Sequence, residues 1–142
     1  MQRFLEWHAK DFMTRNVATV GPEVALAQLE ALFGRHDFNA FPVVESEGVL
    51  GVVTKFDFLK AFVFTTKEVV PHYSDLMRRT VRDIMTAEVV HVQPETPLTR
   101  VLEQMIEMKA RSFPVLDEGH KLVGIISRED LMRALRQSTG AA

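Results

Sequence analysis

The chain repeats itself. Asp11, Met13 and Thr14 recur 72 positions on as Asp83, Met85 and Thr86. Val17, Val20, Pro22, Glu23 and Leu26 recur as Val89, Val92, Pro94, Glu95 and Leu98, and Phe41-Pro42-Val43 recurs as Phe113-Pro114-Val115. One inserted residue then moves the offset to 73, so that Gly51, Thr54, Asp57 and Ala61 recur as Gly124, Ser127, Asp130 and Ala134. A repeat has to be read before anything else, because missing it miscalls the fold. Two copies are too few for a solenoid, which needs at least three. They imply a pseudo-symmetric pair whose copies cover each other's apolar faces.

Each copy has the same expected order: strand, helix, strand, strand, helix. Val17–Val20 and Val89–Val92 are short strand candidates. Pro22 and Pro94 stand where a helix would begin, since proline is tolerated at the first helical position. Helical spacing follows at Leu26, Leu29 and Phe33, and at Leu98, Val101, Leu102, Met105 and Met108. Two extended pairs come next. Phe41–Val44 and Val49–Val53 flank Glu45-Ser46-Glu47-Gly48, while Phe113–Leu116 and Leu122–Ile126 flank Asp117-Glu118-Gly119-His120-Lys121. These charged, glycine-containing turns suit hairpins. The second strands run into Thr54-Lys55-Phe56-Asp57 and Ser127-Arg128-Glu129-Asp130, the S/T-x-x-D signature of a helix start.

The expected class is α+β (α/β-type). The expected division is 1–66 for the first motif with an N-terminal lead-in helix, 67–80 for a linker and second lead-in helix, and 81–142 for the second motif. The C-terminal Gln137–Ala142 is expected to fray.

Composition narrows the function. The chain has 142 residues and no cysteine, which removes disulfide scaffolds, thiolate metal sites and cysteine nucleophiles. Its 17 basic and 19 acidic residues give a net charge of −2, which disfavours general nucleic-acid binding. A membrane span needs about 18 continuous apolar residues, and runs such as Val49–Val53 are far shorter. No membrane association is therefore expected, and Glu6, Trp7 and His8 interrupt any apolar leader, so a cytoplasmic location is expected. The histidines at 8, 36, 72, 91 and 120 show no H-x-x-x-H spacing, so no metal site is expected, although His36-Asp37 and His72 have the chemistry to meet in space. No G-x-S-x-G elbow, Walker lysine or G-x-G-x-x-G fingerprint is present. No catalytic residue is identified, and an enzyme is not expected.

The ordered string D-I-M-T, V-x-V-x-P-E-T-P-L, F-P-V-L-D and L-V-G-I-I-S-R-E-D-L resembles a CBS motif, the module named after cystathionine β-synthase. The copy at Val81–Leu135 matches closely. The copy at Lys10–Phe62 is looser, with F-M-T for I-M-T and Val24-Ala25 in place of Thr96-Pro97. The resemblance implies a tandem pair, called a Bateman module, whose motifs pack through their sheets as a pseudo-twofold pair and often form a disc-like homodimer.

It also implies ligands of the adenosine class, namely AMP, ADP or ATP, with S-adenosylmethionine and NAD as further members. These would sit in clefts between the motifs as regulatory ligands rather than required cofactors. Under the resemblance, Asp57 and Asp130 take the ribose hydroxyls, and Thr54 and Ser127 lie near phosphate at a helix N-terminus. Gly51 and Gly124 allow close backbone approach. The apolar walls come from Val17 with Ala40 and Phe41, and from Val89 with Ser112 and Phe113. Arg111 stands where the family often places a phosphate contact, and its counterpart is the uncharged Asn39. Phe56 and Glu129 occupy positions where the family often has Ser or Thr, and Glu129 would set a negative charge near a phosphate.

The same atoms serve a plainer reading. Thr54 with Asp57, and Ser127 with Asp130, make capping boxes that stabilise each helix by about 0.5–2 kcal/mol without any ligand. Two functions stay open on the residues alone. One is a nucleotide sensor that signals to an unidentified regulated protein. The other is a ligand-free dimerisation scaffold with its clefts filled by side chains such as Phe56.

Overall fold

The computed structural model describes residues 2–36, 38–46, 48–65 and 73–140. Of the expected linker and lead-in helix over 67–80, residues 67–72 lie outside the described residues, as do Asp37, Glu47 and the last two residues of the tail. The chain forms two compact units, Ala18–Val89 and a second that joins Met1–Val17 to Val90–Ala142. Both contain helices and antiparallel hairpins, as the α+β reading expects.

In the Ala18–Val89 unit, α2 (Leu26–Arg35) is followed by the hairpin of β1 (Ala40–Glu45) and β2 (Gly48–Thr54), and then by α3 (Lys55–Thr65), α4 (Tyr73–Met77) and α5 (Val81–Ile84). The other unit opens with a 3-10 turn, Arg3–Glu6, and α1 (Ala9–Phe12). It continues with α6 (Leu98–Met108), the hairpin of β3 (Ser112–Leu116) and β4 (Leu122–Ser127), and α7 (Arg128–Ser138). The helical spacing works as expected. Leu26, Leu29 and Phe33 turn one face of α2 into a core with Phe41, Val43 and Val53, and Leu98, Val101 and Met105 do the same on α6 with Phe113, Val115 and Ile126. Met77 and Met105 are core residues, whereas Met108 and Met132 are exposed.

Both hairpins share one register. Ala40 pairs with Thr54 and Val43 with Gly51; Ser112 pairs with Ser127 and Val115 with Gly124, and each ladder shifts by a bulge just after that valine. Among the described turn residues, the left-handed positions are Ser46 (φ 51°) and His120 (φ 61°) rather than Gly48 and Gly119.

The first strand of each copy is shorter than its sequence suggests. Val17–Val20 and Val89–Val92 reduce to single parallel bridges, Val20 to Val43 and Val92 to Val115. The Val20 amide donates to the Pro42 carbonyl (3.1 Å) and the Val44 amide to the Val20 carbonyl (2.9 Å), with the same pair of bonds at Val92. The next donors in either direction along this parallel ladder would be the amides of residues 42 and 22, and both are prolines without an N–H. Pro114 and Pro94 stop the second copy in the same way.

The helices also begin later than the prolines predict, at Leu26 and Leu98. The intervening carbonyls are already paired: Pro22 accepts from the Arg82 amide and Val24 from the Val81 amide (both 2.9 Å), while Pro94 accepts from Lys10 (3.0 Å) and Thr96 from Ala9 (2.8 Å).

These bonds show which lead-in segment serves which copy. Val81, fully buried, belongs to the core of Ala18–Val89. Phe4, Ala9 and Phe12 belong to the core that contains Phe113 and Ile126. The segment preceding the first copy thus packs with the second, and the segment preceding the second packs with the first, so the compact units cross the order of the repeats. Among the described residues no helix is long and apolar enough to cross a membrane.

Candidate functional site

The strand-to-helix junction is built alike in both units. In the first copy, register sets Ala40 opposite Thr54 at the end of β2, and the Lys55 amide donates to the Asn39 carbonyl (2.9 Å). The Thr54 amide donates to Asp57 Oδ2 (3.0 Å), and the Asp57 amide donates to Thr54 Oγ1 (2.9 Å). Lys60 Nζ lies 3.4 Å from Asp57 Oδ1. In the second copy, Ser112 faces Ser127. The Ser127 amide (2.8 Å) and hydroxyl (3.0 Å) donate to Asp130 Oδ2, and the Asp130 amide returns a bond to Ser127 Oγ (3.3 Å). Arg133 donates to Asp130 Oδ1 (3.2 Å) and to the Phe12 carbonyl (3.1 Å).

Both capping boxes therefore form, and both carboxylates are buried, at 4% exposure each. Burial of a carboxylate is tolerated because every one of its oxygens has a donor. In each, Oδ2 closes the cap and Oδ1 meets a cation one helical turn on. Oδ1 is the atom a second donor, such as a sugar hydroxyl, would share.

The other residues divide clearly. Ala40 and Ser112 are half-buried beside the N-caps. Phe41 (1% exposed) and Phe113 (2%) have their rings in the two cores, with Phe41 packed on Phe33 at 5.0 Å between ring centroids. Gly51 and Gly124 are buried, Gly51 against the Thr86 backbone and the Met85 thioether, Gly124 against the Thr14 backbone and the Met13 side chain. Arg111 is exposed at the head of β3. Val17 and Val89, both half-buried, fall in the unit opposite to the junction each was expected to line. Phe56 is 69% exposed with Lys60 Nζ 5.3 Å from its ring centroid, so it does not fill a crevice. His36 stacks on Phe38 at 5.4 Å, while Asp37 and His72, its expected companions, lie outside the described residues.

Sequence reasoning missed Lys60 and Arg133, although their i, i+3 spacing from the aspartates was a usable signal. It also missed Arg128. The Arg128 amide donates to the Arg111 carbonyl (3.0 Å), and its guanidinium donates to the carbonyls of Ala110 (2.9 Å) and Lys109 (3.2 Å). No local pattern announces a side chain that closes a loop 18 residues away.

A family model, the CBS domain, matches the chain twice, at residues 9–64 and 81–137. Among solved structures, CBSX2 in complex with AMP is 27% identical, with a TM-score of 0.81 over 94% of this chain and 98% of that one. The CBS domain-containing protein YhcV of Bacillus subtilis is 28% identical over 135 residues, 94% of this chain and 90% of that protein. Larger relatives match over a part only. L-aspartate semialdehyde sulfurtransferase of Methanocaldococcus jannaschii is 26% identical over 125 residues, 87% of this chain but 22% of the enzyme. The chain spans less than a quarter of the length of the enzymes it matches.

Proposed function

Because the chain belongs to the CBS domain family and carries that domain twice, we propose that it is a regulatory pair that binds adenosine-containing nucleotides at its strand-to-helix junctions. The observation that carries this reading is the duplicated junction itself. In each unit an N-cap hydroxyl residue stands opposite the half-buried first residue of the preceding strand, with a buried carboxylate three residues on. Helix N-terminal amides and a hydroxyl suit a phosphate, and a carboxylate Oδ1 suits a ribose. The likeness to CBSX2, crystallised with AMP, supports the same ligand class across nearly the whole chain.

The residues proposed for contact are Ala40, Thr54 and Asp57 in the first copy, and Arg111, Ser112, Ser127 and Asp130 in the second, while Gly51 and Gly124 serve by admitting the segments packed on them. AMP, ADP and ATP are the first ligands to test, with S-adenosylmethionine and NAD as further members of the class. Ribose binding at Asp57 or Asp130 draws Oδ1 away from Lys60 or Arg133. That exchange couples occupancy to α3 or α7, and a ligand shifts conformation only by the difference in its affinity for two states. An unidentified regulated protein would read that shift. The role is regulatory rather than catalytic, and its proposed location is the cytoplasm, where adenine nucleotides turn over.

A homodimer belongs to the same proposal. On α3, Phe56 and Leu59 are 69% and 60% exposed at i, i+3 spacing, a surface that a second copy would cover.

The test is isothermal titration calorimetry of the full chain with AMP, ADP and ATP. Saturable binding that weakens in Asp57→Asn and Asp130→Asn is expected. No heat and no thermal shift with any nucleotide at millimolar concentration overturns the reading in favour of a ligand-free scaffold.

A further inference from the structure

One residue holds three successive carbonyls in the second copy. Helix α6 ends at Lys109 in a left-handed conformation (φ 53°), a costly state for a side chain larger than glycine. The three residues that follow the helix, Lys109, Ala110 and Arg111, all present their carbonyls to Arg128. Arg128 is the first residue of α7, directly after the N-cap Ser127. Its planar fork reaches two carbonyls at once, which a lysine ammonium at the same place does not do with fixed geometry. The loop that delivers Arg111 and Ser112 is therefore tied to the helix start that carries Ser127 and Asp130.

The first copy has only part of this brace. Lys55 occupies the equivalent position, and its amide holds the Asn39 carbonyl (2.9 Å) as Arg128 holds that of Arg111. Its ammonium lies over the Phe33 ring instead, 5.9 Å from the centroid. The residue it positions is Asn39, which has no charge.

Deepening the nucleotide reading, on which this rests, we propose that Arg128 is a positioning residue that holds Arg111 for the phosphate of a nucleotide. It makes the second-copy junction the one that distinguishes nucleotide from nucleoside. Arg128 acts through the loop: its Nε and Nη2 are turned onto the Ala110 and Lys109 carbonyls, so the side chain is committed to the segment that delivers Arg111. The first-copy junction shares the helix-start amides and hydroxyl but lacks the braced arginine, so it favours nucleotide over nucleoside less than the second does.

The experiment measures AMP and adenosine affinities of the full chain by calorimetry for wild type, Arg128→Gln, Arg111→Gln and the double variant. Arg128→Gln is expected to weaken AMP about tenfold, the scale of one lost charge-assisted contact, and to leave adenosine within about twofold. The double variant is expected to bind AMP no more weakly than Arg111→Gln alone, since both act through one contact. Hydrogen exchange in the unliganded variant should show faster amide exchange over 110–112.

Undiminished AMP affinity in Arg128→Gln, or additive losses in the double variant, overturns the inference while leaving the nucleotide reading standing. Wild type that binds neither AMP nor adenosine removes both. Should Arg128→Gln fail to fold, Arg128→Lys decides. It keeps the charge without the fork, so loss of the AMP preference supports the brace, and full retention overturns it.

Discussion

Gly51 packs so tightly on Thr86 that a Cβ at position 51 would overlap the Thr86 carbonyl oxygen. The neighbouring Val52 exchanges both main-chain hydrogen bonds with Thr86, at 3.0 and 2.9 Å. The second copy repeats the arrangement: Thr14 and Ile125 exchange bonds of 2.8 and 2.9 Å, and a Cβ on Gly124 would stand 2.7 Å from Met13 Sδ and 2.9 Å from the Thr14 carbonyl oxygen. These glycines admit the D-x-M-T segment of the other copy. Gly51→Ala should therefore lower stability by about 2–3 kcal/mol, because rigid backbone must move. Gly124→Ala should cost about 1–2 kcal/mol, since the thioether can partly give way. Gly21→Ala, with nothing within 4 Å, should stay within about 0.5 kcal/mol of wild type. Urea unfolding midpoints check the order.

The exchanged lead-in segments predict where damage spreads. Phe12→Ala empties a site in the core shared with Phe113, Ile126 and Leu131, at a cost of about 3 kcal/mol. Hydrogen exchange should then quicken first in β4 and α7 rather than in β1 and β2, although Phe12 precedes the first copy in sequence. Val81→Ala should do the reverse, loosening α2 and β2.

The buried aspartates should matter before any ligand arrives. Asp130 accepts from the Ser127 amide, the Ser127 hydroxyl and Arg133, whereas Asp57 accepts from the Thr54 amide and pairs with Lys60. In nucleotide-free protein, Asp130→Ala should cost about 2 kcal/mol and Asp57→Ala about 1 kcal/mol, read as shifts in urea midpoint. Equal and negligible losses would mean the caps contribute nothing.

A charge on the outer face of α3 should test the proposed dimer. Leu59→Glu places a carboxylate in an exposed apolar surface, which costs little in the monomer and much in a covered interface. Light scattering should show a dimer for wild type and a monomer for the variant, with unchanged far-ultraviolet circular dichroism.

The repeat, the apolar spacing of Leu26, Leu29 and Phe33, and the S/T-x-x-D helix starts were legible from the residues, because each is a local rule of period, cap or turn. The capping role of Asp57 and Asp130 follows from a spacing of three residues. The single-residue bridges at Val20 and Val92 were not legible, because the limit on each comes partly from a proline on the partner strand, some twenty residues away. Nor was the pairing of residues 1–17 with the second copy, since the two lead-in segments are alike enough in sequence to serve either. Tertiary structure decided these points, along with the burial of Phe41 and Phe113 in the cores and the grip of Arg128 on three carbonyls. Each depends on which distant backbone groups meet, and hydrophobic period and helix caps set what an element is without specifying which partner it meets.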